Sequence, residues 1–250
     1  MSRGPAVRVM SIVSLGAGLG AGLGAGLGLG ATSGCGHPAA SVDPLCPPVD
    51  ETSPATGPPG LADLQFVCDE MAPTVLVTRD VFSDASCEVV EGCVGGPGRR
   101  TLLRFDTVSA NRGTADLVVG APPPAGESSD VFEWSQCHGH HHVRNYASYE
   151  LLDATGTAVL TARKQSFCLQ DDEDIQPGVP PTGYSCTDQG ITRGWADVYS
   201  RYLPCQWIDV TAIPEGRYTL RIVVNPLHTL PESNYDNNTF TVPVAVPAAL

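Results

Sequence analysis

Hydrophobic and polar positions alternate through much of the chain. In "GRYTLRIVV" (216–224), Tyr218, Leu220, Ile222 and Val224 fall on one side, and Arg217, Thr219 and Arg221 on the other. A period of two marks a strand with one face buried and one in water. Other runs rich in β-branched and aromatic residues are "TVLVTRDVF" (74–82), "RTLLRFDTVS" (100–109), "ADLVVGA" (115–121) and "YASYELLDATGTAVLTARK" (146–164), all of which predict strands. "DATG" within the last run predicts a hairpin turn. No stretch sustains a helical period, and Pro and Gly recur between the runs. The pattern predicts a mainly β fold, an antiparallel β-sandwich with long irregular loops.

The first 34 residues break this pattern. Arg3 and Arg8 precede a long uncharged Gly/Ala/Leu run that ends in small residues before Cys35. That is the layout of a secretory signal. The Gly-Leu-Gly repeats make a poor permanent membrane helix, because glycine costs helix stability and adds little apolar area. "ATSGC" resembles a bacterial lipoprotein cleavage box, which would make Cys35 the lipidated first residue; Thr32 stands where leucine is usual. Plain secretion and lipid anchoring to the cell envelope both remain open. Residues 35–60 form a Pro/Gly-rich linker, and the folded domain is expected over 61–250.

All 27 acidic residues follow Cys35, but two of the 14 basic ones precede it, so 12 − 27 leaves the mature chain at −15. That charge argues against a nucleic-acid partner and would attract amines and lysine-rich polypeptides. Membrane contact is expected only through a lipid on Cys35. Eight of the nine cysteines follow Cys35. An even count behind a secretory signal predicts a disulfide framework, and no spacing matches a Cys-x-x-Cys zinc knuckle.

"EWSQCHGHHHVRNY" holds four of the six histidines: His138, His140, His141 and His142. On a strand the first, second and fourth of these face one way and His141 the other. A flat strand would hold His138 and His142 about 13 Å apart, too far for one ion with bonds of about 2 Å. The segment must therefore bend if all three bind together, and Gly139 permits that. A loose, exposed metal-scavenging tract is the bland alternative, but Trp134 and Cys137 point to a packed, stapled segment. Three imidazoles suit either a copper(II) or a zinc(II) centre.

Lys164, in "LTARKQSFCLQDDED", is the only lysine in a chain with thirteen arginines. Codon bias and a solvated surface would explain it. So would a need for a primary amine, which can lose its proton and react where arginine cannot.

"EWSQCHGHHHVRNYASYELLD", "ARKQSFCLQD", "DVYSRYLPCQWIDVT" and "PEGRYTLRIVVNPLHTLPESNYDNN" follow in this order. Together they resemble the catalytic domain of the lysyl oxidase family, over about Asp63 to Asn238. The resemblance implies a copper amine oxidase. It would convert the primary amine of peptidyl lysine or of alkyl amines to an aldehyde with O2, releasing ammonia and H2O2. The family's Cys-His-x-His-x-His motif maps onto His138, His140 and His142 as copper ligands. The organic cofactor of the family is lysine tyrosylquinone. Its lysine would be Lys164, in a "K-x-S-F-C" context, and its tyrosine Tyr199, six residues before the cysteine of "CQWID". Asp197 is the candidate base for the substrate α-proton, and a surface carboxylate is the alternative for it.

The resemblance carries two further expectations. "PESNYDNN" is similar to the family's calcium-binding turn. Glu232, Asn234, Asn237 and Asn238 would supply oxygens to Ca2+, joined by Asp63 and the backbone carbonyl of Leu64. Asn234 stands where the animal enzymes have aspartate, and a turn that uses Asn for its backbone shape is the alternative. The family's bridges imply Cys87–Cys93 and Cys137–Cys186. Asp174 and Trp195 occupy the approximate places of the usual partners of Cys168 and Cys205. Those two are therefore expected to pair with each other, which leaves Cys46 with Cys68. Other departures from the animal enzymes are Ser135 in place of a histidine, one residue fewer between His142 and "SYELLD", and no animal C-terminal tail.

Two other functions compete. One is a non-catalytic secreted copper-binding β-sandwich for storage or adhesion, and the other is a zinc hydrolase. Neither needs both Lys164 and Tyr199.

Overall fold

The computed structural model describes residues 58–163 and 168–248. The leader, all of the linker before residue 58, Cys35, Cys46 and Lys164 lie outside the described residues. Among the described residues no helix is long and apolar enough to cross a membrane.

The first strands are β1 (Leu64–Phe66), β2 (Leu76–Phe82), β3 (Gly98–Arg104), β4 (Thr107–Asn111) and β5 (Leu117–Gly120). They are followed by β6 (Phe132–Ser135), β7 (His140–Val143), β8 (Ala147–Leu152), β9 (Ala158–Arg163) and β10 (Glu173–Asp174). The last are β11 (Gln189–Ile191), β12 (Trp195–Tyr199), β13 (Trp207–Asp209), β14 (Gly216–Val224) and β15 (Thr239–Val246). Two one-turn helices, α1 (Cys68–Met71) and α2 (Cys87–Val90), and a 3-10 turn (Ala72–Thr74) complete the elements.

Two four-stranded sheets, β15-β14-β8-β9 and β1-β4-β12-β10, share the main hydrophobic core. All their named strand pairs are antiparallel. Leu220, Ile222 and Val224 of β14 are fully buried, as the alternation predicts. The hairpin between β8 and β9 is closed by the Asp153 carboxylate, which accepts from the backbone N–H groups of Thr155 and Thr157. Phe105 meets Tyr149 edge to face at 4.8 Å in the core, a favoured aromatic geometry. Strand β3 belongs to a third sheet, β13-β3-β2. Its consecutive Leu102 and Leu103 are both buried, so they point into different cores. Leu103 joins the main core; Leu102 joins a small one with Val94, Cys205 and Trp207. The pairs β6-β7 and β11-β5 are two-stranded.

The bridges differ from those expected. Cys87 pairs with Cys137, Cys93 with Cys205, and Cys168 with Cys186. Cys68 is disulfide-bonded as well, and its expected partner Cys46 lies outside the described residues. Cys87–Cys93 is ruled out by the turn between them. Cys87 starts α2 and faces the loop of the β6–β7 hairpin, whereas Gly92, at φ 73°, reverses the chain and sends Cys93 to Cys205. Cys137 is therefore taken by α2 and not by Cys186. Cys168 is not joined to Cys205, because its own loop folds back to bring Cys186 to a Cα distance of 4.9 Å. Peptide mapping under non-reducing, non-scrambling conditions should recover Cys87–Cys137, Cys93–Cys205 and Cys168–Cys186. A peptide joining Cys168 to Cys205 would show that this arrangement is wrong.

Candidate metal centre

Strands β6 and β7 pair with Ser135 opposite His140, which leaves Gln136–Gly139 as the turn. Gly139 takes φ 68° and donates its N–H to the Ser135 carbonyl at 2.9 Å, a conformation that glycine adopts without steric cost. On β7, His140 and His142 share one side and His141 the other. His141 packs its ring against Trp134, with centroids 4.9 Å apart, and sets Nε2 2.9 Å from the Glu127 carbonyl oxygen. His138 sits in the turn, so the flat-strand separation does not apply to it. Its Nδ1 lies 3.3 Å from His142 Nε2, which lies 3.1 Å from His140 Nε2.

The donor atoms of His138, His140 and His142 all fall within 4.8 Å of one another. Ring nitrogens about 2 Å from a shared ion lie roughly 3 Å apart, so the three residues fit a bound copper or zinc ion. Burial, and after it the neighbouring His138, hold the His140 pKa below its ordinary value. That favours the neutral ring, the form that ligates metal. Glu91, Cys93 and Cys205 form a second group within the same span. Both of its sulfurs are consumed by the Cys93–Cys205 bridge, so it offers only the Glu91 carboxylate.

Tyr199 ends β12 and is 3 % exposed. Its hydroxyl donates to the Cys168 carbonyl oxygen at 2.9 Å. Asp197 shares its side of the strand, is fully buried, and accepts the Gln170 N–H at 3.2 Å through Oδ1. Burial first, and the Asp197 carboxylate second, push the Tyr199 pKa well above its ordinary value, so the phenol keeps its proton at neutral pH. Tyr146 is buried nearby, and its pKa is raised by burial and then by Asp197; its hydroxyl lies 2.5 Å from Ser109 Oγ.

The tyrosine and histidine segments are joined through Gln189, a fully buried residue. Its Nε2 donates to the His141 carbonyl oxygen at 3.0 Å, and its Oε1 accepts the Leu169 N–H at 3.0 Å. One side chain therefore pins the metal strand to the segment that follows Lys164, whose own position is outside the described residues. Gln189, Tyr146 and Ser109 escape sequence reasoning. Each is a single residue in no motif, and only the tertiary pairing gives it a partner.

Beside the triad lies a cleft of about 810 Å³ lined by His142, Glu91, Glu133, Trp134, Arg144 and Leu227, among others. Glu133 is paired with Arg144 at 3.5 Å. Tyr199 is not among the residues that line this cleft.

The expected calcium residues converge in part. Glu232 is buried; it accepts the Leu64 N–H at 2.7 Å and the side-chain amides of Asn225 at 2.5 Å and Asn238 at 3.0 Å. Asp63 is buried and accepts the Asn237 amide at 3.0 Å. Asn237 Oδ1 and Asn238 Oδ1 are buried and accept no hydrogen bond. Leu64 enters through its N–H. Asn234 is turned outward: it is exposed, and its Oδ1 caps the Asp236 N–H at 3.0 Å. This is the local turn that asparagine forms readily.

The family model for lysyl oxidase matches residues 78–246, a span that holds the triad, Asp197, Tyr199 and Glu232. Lysyl oxidase homolog 2 of Rattus norvegicus is 33% identical over 197 residues, covering 68% of this chain and 24% of the relative. Lysyl oxidase homolog 3 of Homo sapiens is 38% identical over 195 residues, covering 69% of this chain and 25% of the relative. Lysyl oxidase homolog 3B of Danio rerio is 42% identical over 145 residues, covering 56% and 17%. The chain thus spans about a quarter or less of these relatives' length. The matched span contains the hairpin that gathers the three histidines and the strand that carries Tyr199, and on that match the chain belongs to the lysyl oxidase family.

Proposed function

We propose that this chain is a copper- and quinone-dependent amine oxidase. The reaction is RCH2NH2 + O2 + H2O giving RCHO + NH3 + H2O2, with peptidyl lysine or an alkyl amine as substrate. One observation carries the reading. The Tyr199 hydroxyl is held against the backbone of Cys168, four residues beyond Lys164, while Gln189 fastens that same segment to the histidine strand. A copper-binding module has no need of that connection.

His138, His140 and His142 would hold copper. The metal would supply the one-electron and oxygen chemistry that converts the Tyr199 ring, joined to the Lys164 amine, into lysine tyrosylquinone. The chain's own residues do the rest. The Cys168 carbonyl fixes the rotation of the Tyr199 phenol. Burial keeps water from the ring. Asp197, on the same side of β12, would take the α-proton from a substrate amine held at that ring. Three described disulfides suit an oxidising compartment, in keeping with secretion or attachment to the cell envelope.

Copper-loaded, aerated chain, reduced and digested with a lysine-specific protease, should yield a peptide joining Lys164 to the segment with Tyr199. It should also produce peroxide with an alkyl amine. Tyr199→Phe should abolish both and retain copper. Clean cleavage after Lys164 in a copper-replete sample would make the chain a copper-binding module instead.

Asp197→Asn should preserve the cross-linked peptide and lower kcat by roughly 10²–10⁴-fold. An unchanged kcat in cross-linked Asp197→Asn would remove Asp197 as the base.

Asp63, Glu232, Asn237 and Asn238 support a calcium site, because two buried carboxylates are joined to the amide N–H groups of two asparagines whose own buried oxygens accept no hydrogen bond. Burial pushes the Glu232 pKa up to about 7 and raises that of Asp63. A carboxyl whose folded pKa is raised contributes stability that is complete below its unfolded value near 4.5 and lost as pH rises through about 7. Chelated chain should therefore lose thermal stability across that window. Calcium at neutral pH should restore roughly 5 °C, and Glu232→Gln should remove both effects. A thermal midpoint indifferent to calcium at neutral pH would exclude the site.

A further inference from the structure

We propose that Glu91 is a positioning residue for the metal centre: its carboxylate holds the outward nitrogen of His138 so that Nδ1 is presented to the ion. This rests on the copper reading above and adds a residue to it.

The placement begins with α2. The Glu91 N–H donates to the Cys87 carbonyl at 2.8 Å, so Glu91 lies one helical turn beyond Cys87. Side chains four apart on a helix stand on the same face. Cys87 is bonded to Cys137, and Glu91 faces His138, the next residue along the hairpin turn. One turn of helix thus grips two consecutive residues of the metal loop. Just past Glu91, Gly92 turns the chain at φ 73°, and Cys93 is bonded to Cys205. The carboxylate is therefore carried on the seven residues from Cys87 to Cys93, with a covalent anchor at each end. Ordering it costs little more once the bridges have formed.

The contacts agree in direction. Glu91 Oε2 lies 3.6 Å from His138 Nε2, and the two side chains are only 14% and 10% exposed. Glu91 Oε1 accepts the Ser135 hydroxyl at 2.6 Å, and that hydroxyl oxygen accepts the His138 N–H at 3.0 Å. Ser135 thus ties the carboxylate to the backbone of the residue whose ring it faces. It occupies the position where the sequence departs from the animal enzymes.

A neutral imidazole has one proton. If Nδ1 binds the metal, the proton sits on Nε2, and Nε2 is the atom that faces Glu91. A carboxylate behind a ligating histidine fixes the tautomer, orients the ring and raises its basicity. Little water surrounds this pair to screen it.

The test is copper(II) affinity of the full chain, measured by competition with a chelator of known strength, together with pulsed EPR of the loaded protein. Glu91→Gln keeps the size and an acceptor for Ser135 but removes the charge. It should weaken copper binding by roughly 10–100-fold and alter the quadrupole coupling of one remote imidazole nitrogen. The thermal midpoint of the metal-free chain should stay where it is. Ser135→Ala should weaken binding less, by roughly 3–10-fold. Glu133→Gln, on the exposed wall of the same cleft, should change neither readout. Affinity of Glu91→Gln within threefold of the parent would overturn the proposal. So would weaker binding with an unaltered remote-nitrogen signal, which would assign Glu91 to loop packing alone. A parent chain that binds no copper would overturn the metal reading and this inference together.

Discussion

Three imidazole nitrogens drawn from five consecutive residues can meet only if the chain turns inside those five. An extended strand cannot bring His138 to His142, and a helix would bring those two together but turn His140 to the opposite face. The hairpin resolves this by leaving His138 in the turn while His140 and His142 stay on β7. Much of the surrounding structure serves that bend. Gly139 supplies the backbone conformation, the Ser135 hydroxyl accepts the His138 N–H, and Cys87–Cys137 fastens the turn to α2. A two-stranded ribbon is weak by itself, and among the described residues β6–β7 pairs with no larger sheet. Its rigidity comes from the staple at its tip and from the Gln189 amide on the His141 carbonyl.

The second part of the site is held by different means. Tyr199 belongs to a four-stranded sheet through β12, which pairs with the fully buried β4 and with β10. The loop between the histidine and tyrosine elements is organised by carboxylates. Asp171 accepts from the backbone of Gly183, Tyr184 and Thr192 and from the Thr192 hydroxyl. Asp116 accepts from Thr182 Oγ1 and the Arg193 N–H. Part of the chain's acidity is thus spent on ordering backbone, since an ionised carboxylate can accept several N–H groups at once. The rest remains for attracting cations.

What the sequence reveals depends on whether the constraint is local. The alternation over 216–224 identifies β14, and the "DATG" stretch identifies its hairpin, because each depends on neighbours in the chain. The outward turn of His141 follows from strand parity alone. Strand β12 is hidden because both its faces are covered, which removes the alternation that would mark it. The bridges mislead for a related reason. Cys87 and Cys93 are close in sequence, yet α2 and Gly92 aim them in opposite directions, and nothing in the spacing shows that. Asp63 and Glu232 are brought together by Leu64 donating to Glu232 across 168 residues. Only the family resemblance pointed to that pairing. Gln189 and Glu91 have no local signature; they become important only after the hairpin, the loop and α2 have come together.

The corrected disulfides also bear on how a quinone could form. A Cys168–Cys205 bridge would have joined the segment after Lys164 to the one after Tyr199 before any chemistry took place. The bridges among the described residues lie elsewhere: one pair brackets Glu91, and Cys168–Cys186 closes a loop on itself over 18 residues. Across the reaction step itself the described contacts are hydrogen bonds: the Tyr199 hydroxyl donates to the Cys168 carbonyl, the Gln170 N–H to Asp197 and the Leu169 N–H to the Gln189 amide oxygen. Hydrogen bonds of about 1 kcal/mol net can be exchanged as an amine approaches a ring, whereas a disulfide at that place would fix the separation in advance. On the proposed function the covalent link across this gap is the cofactor bond between Lys164 and Tyr199. The metal half of the site is then rigid before oxidation, and the organic half becomes so through it.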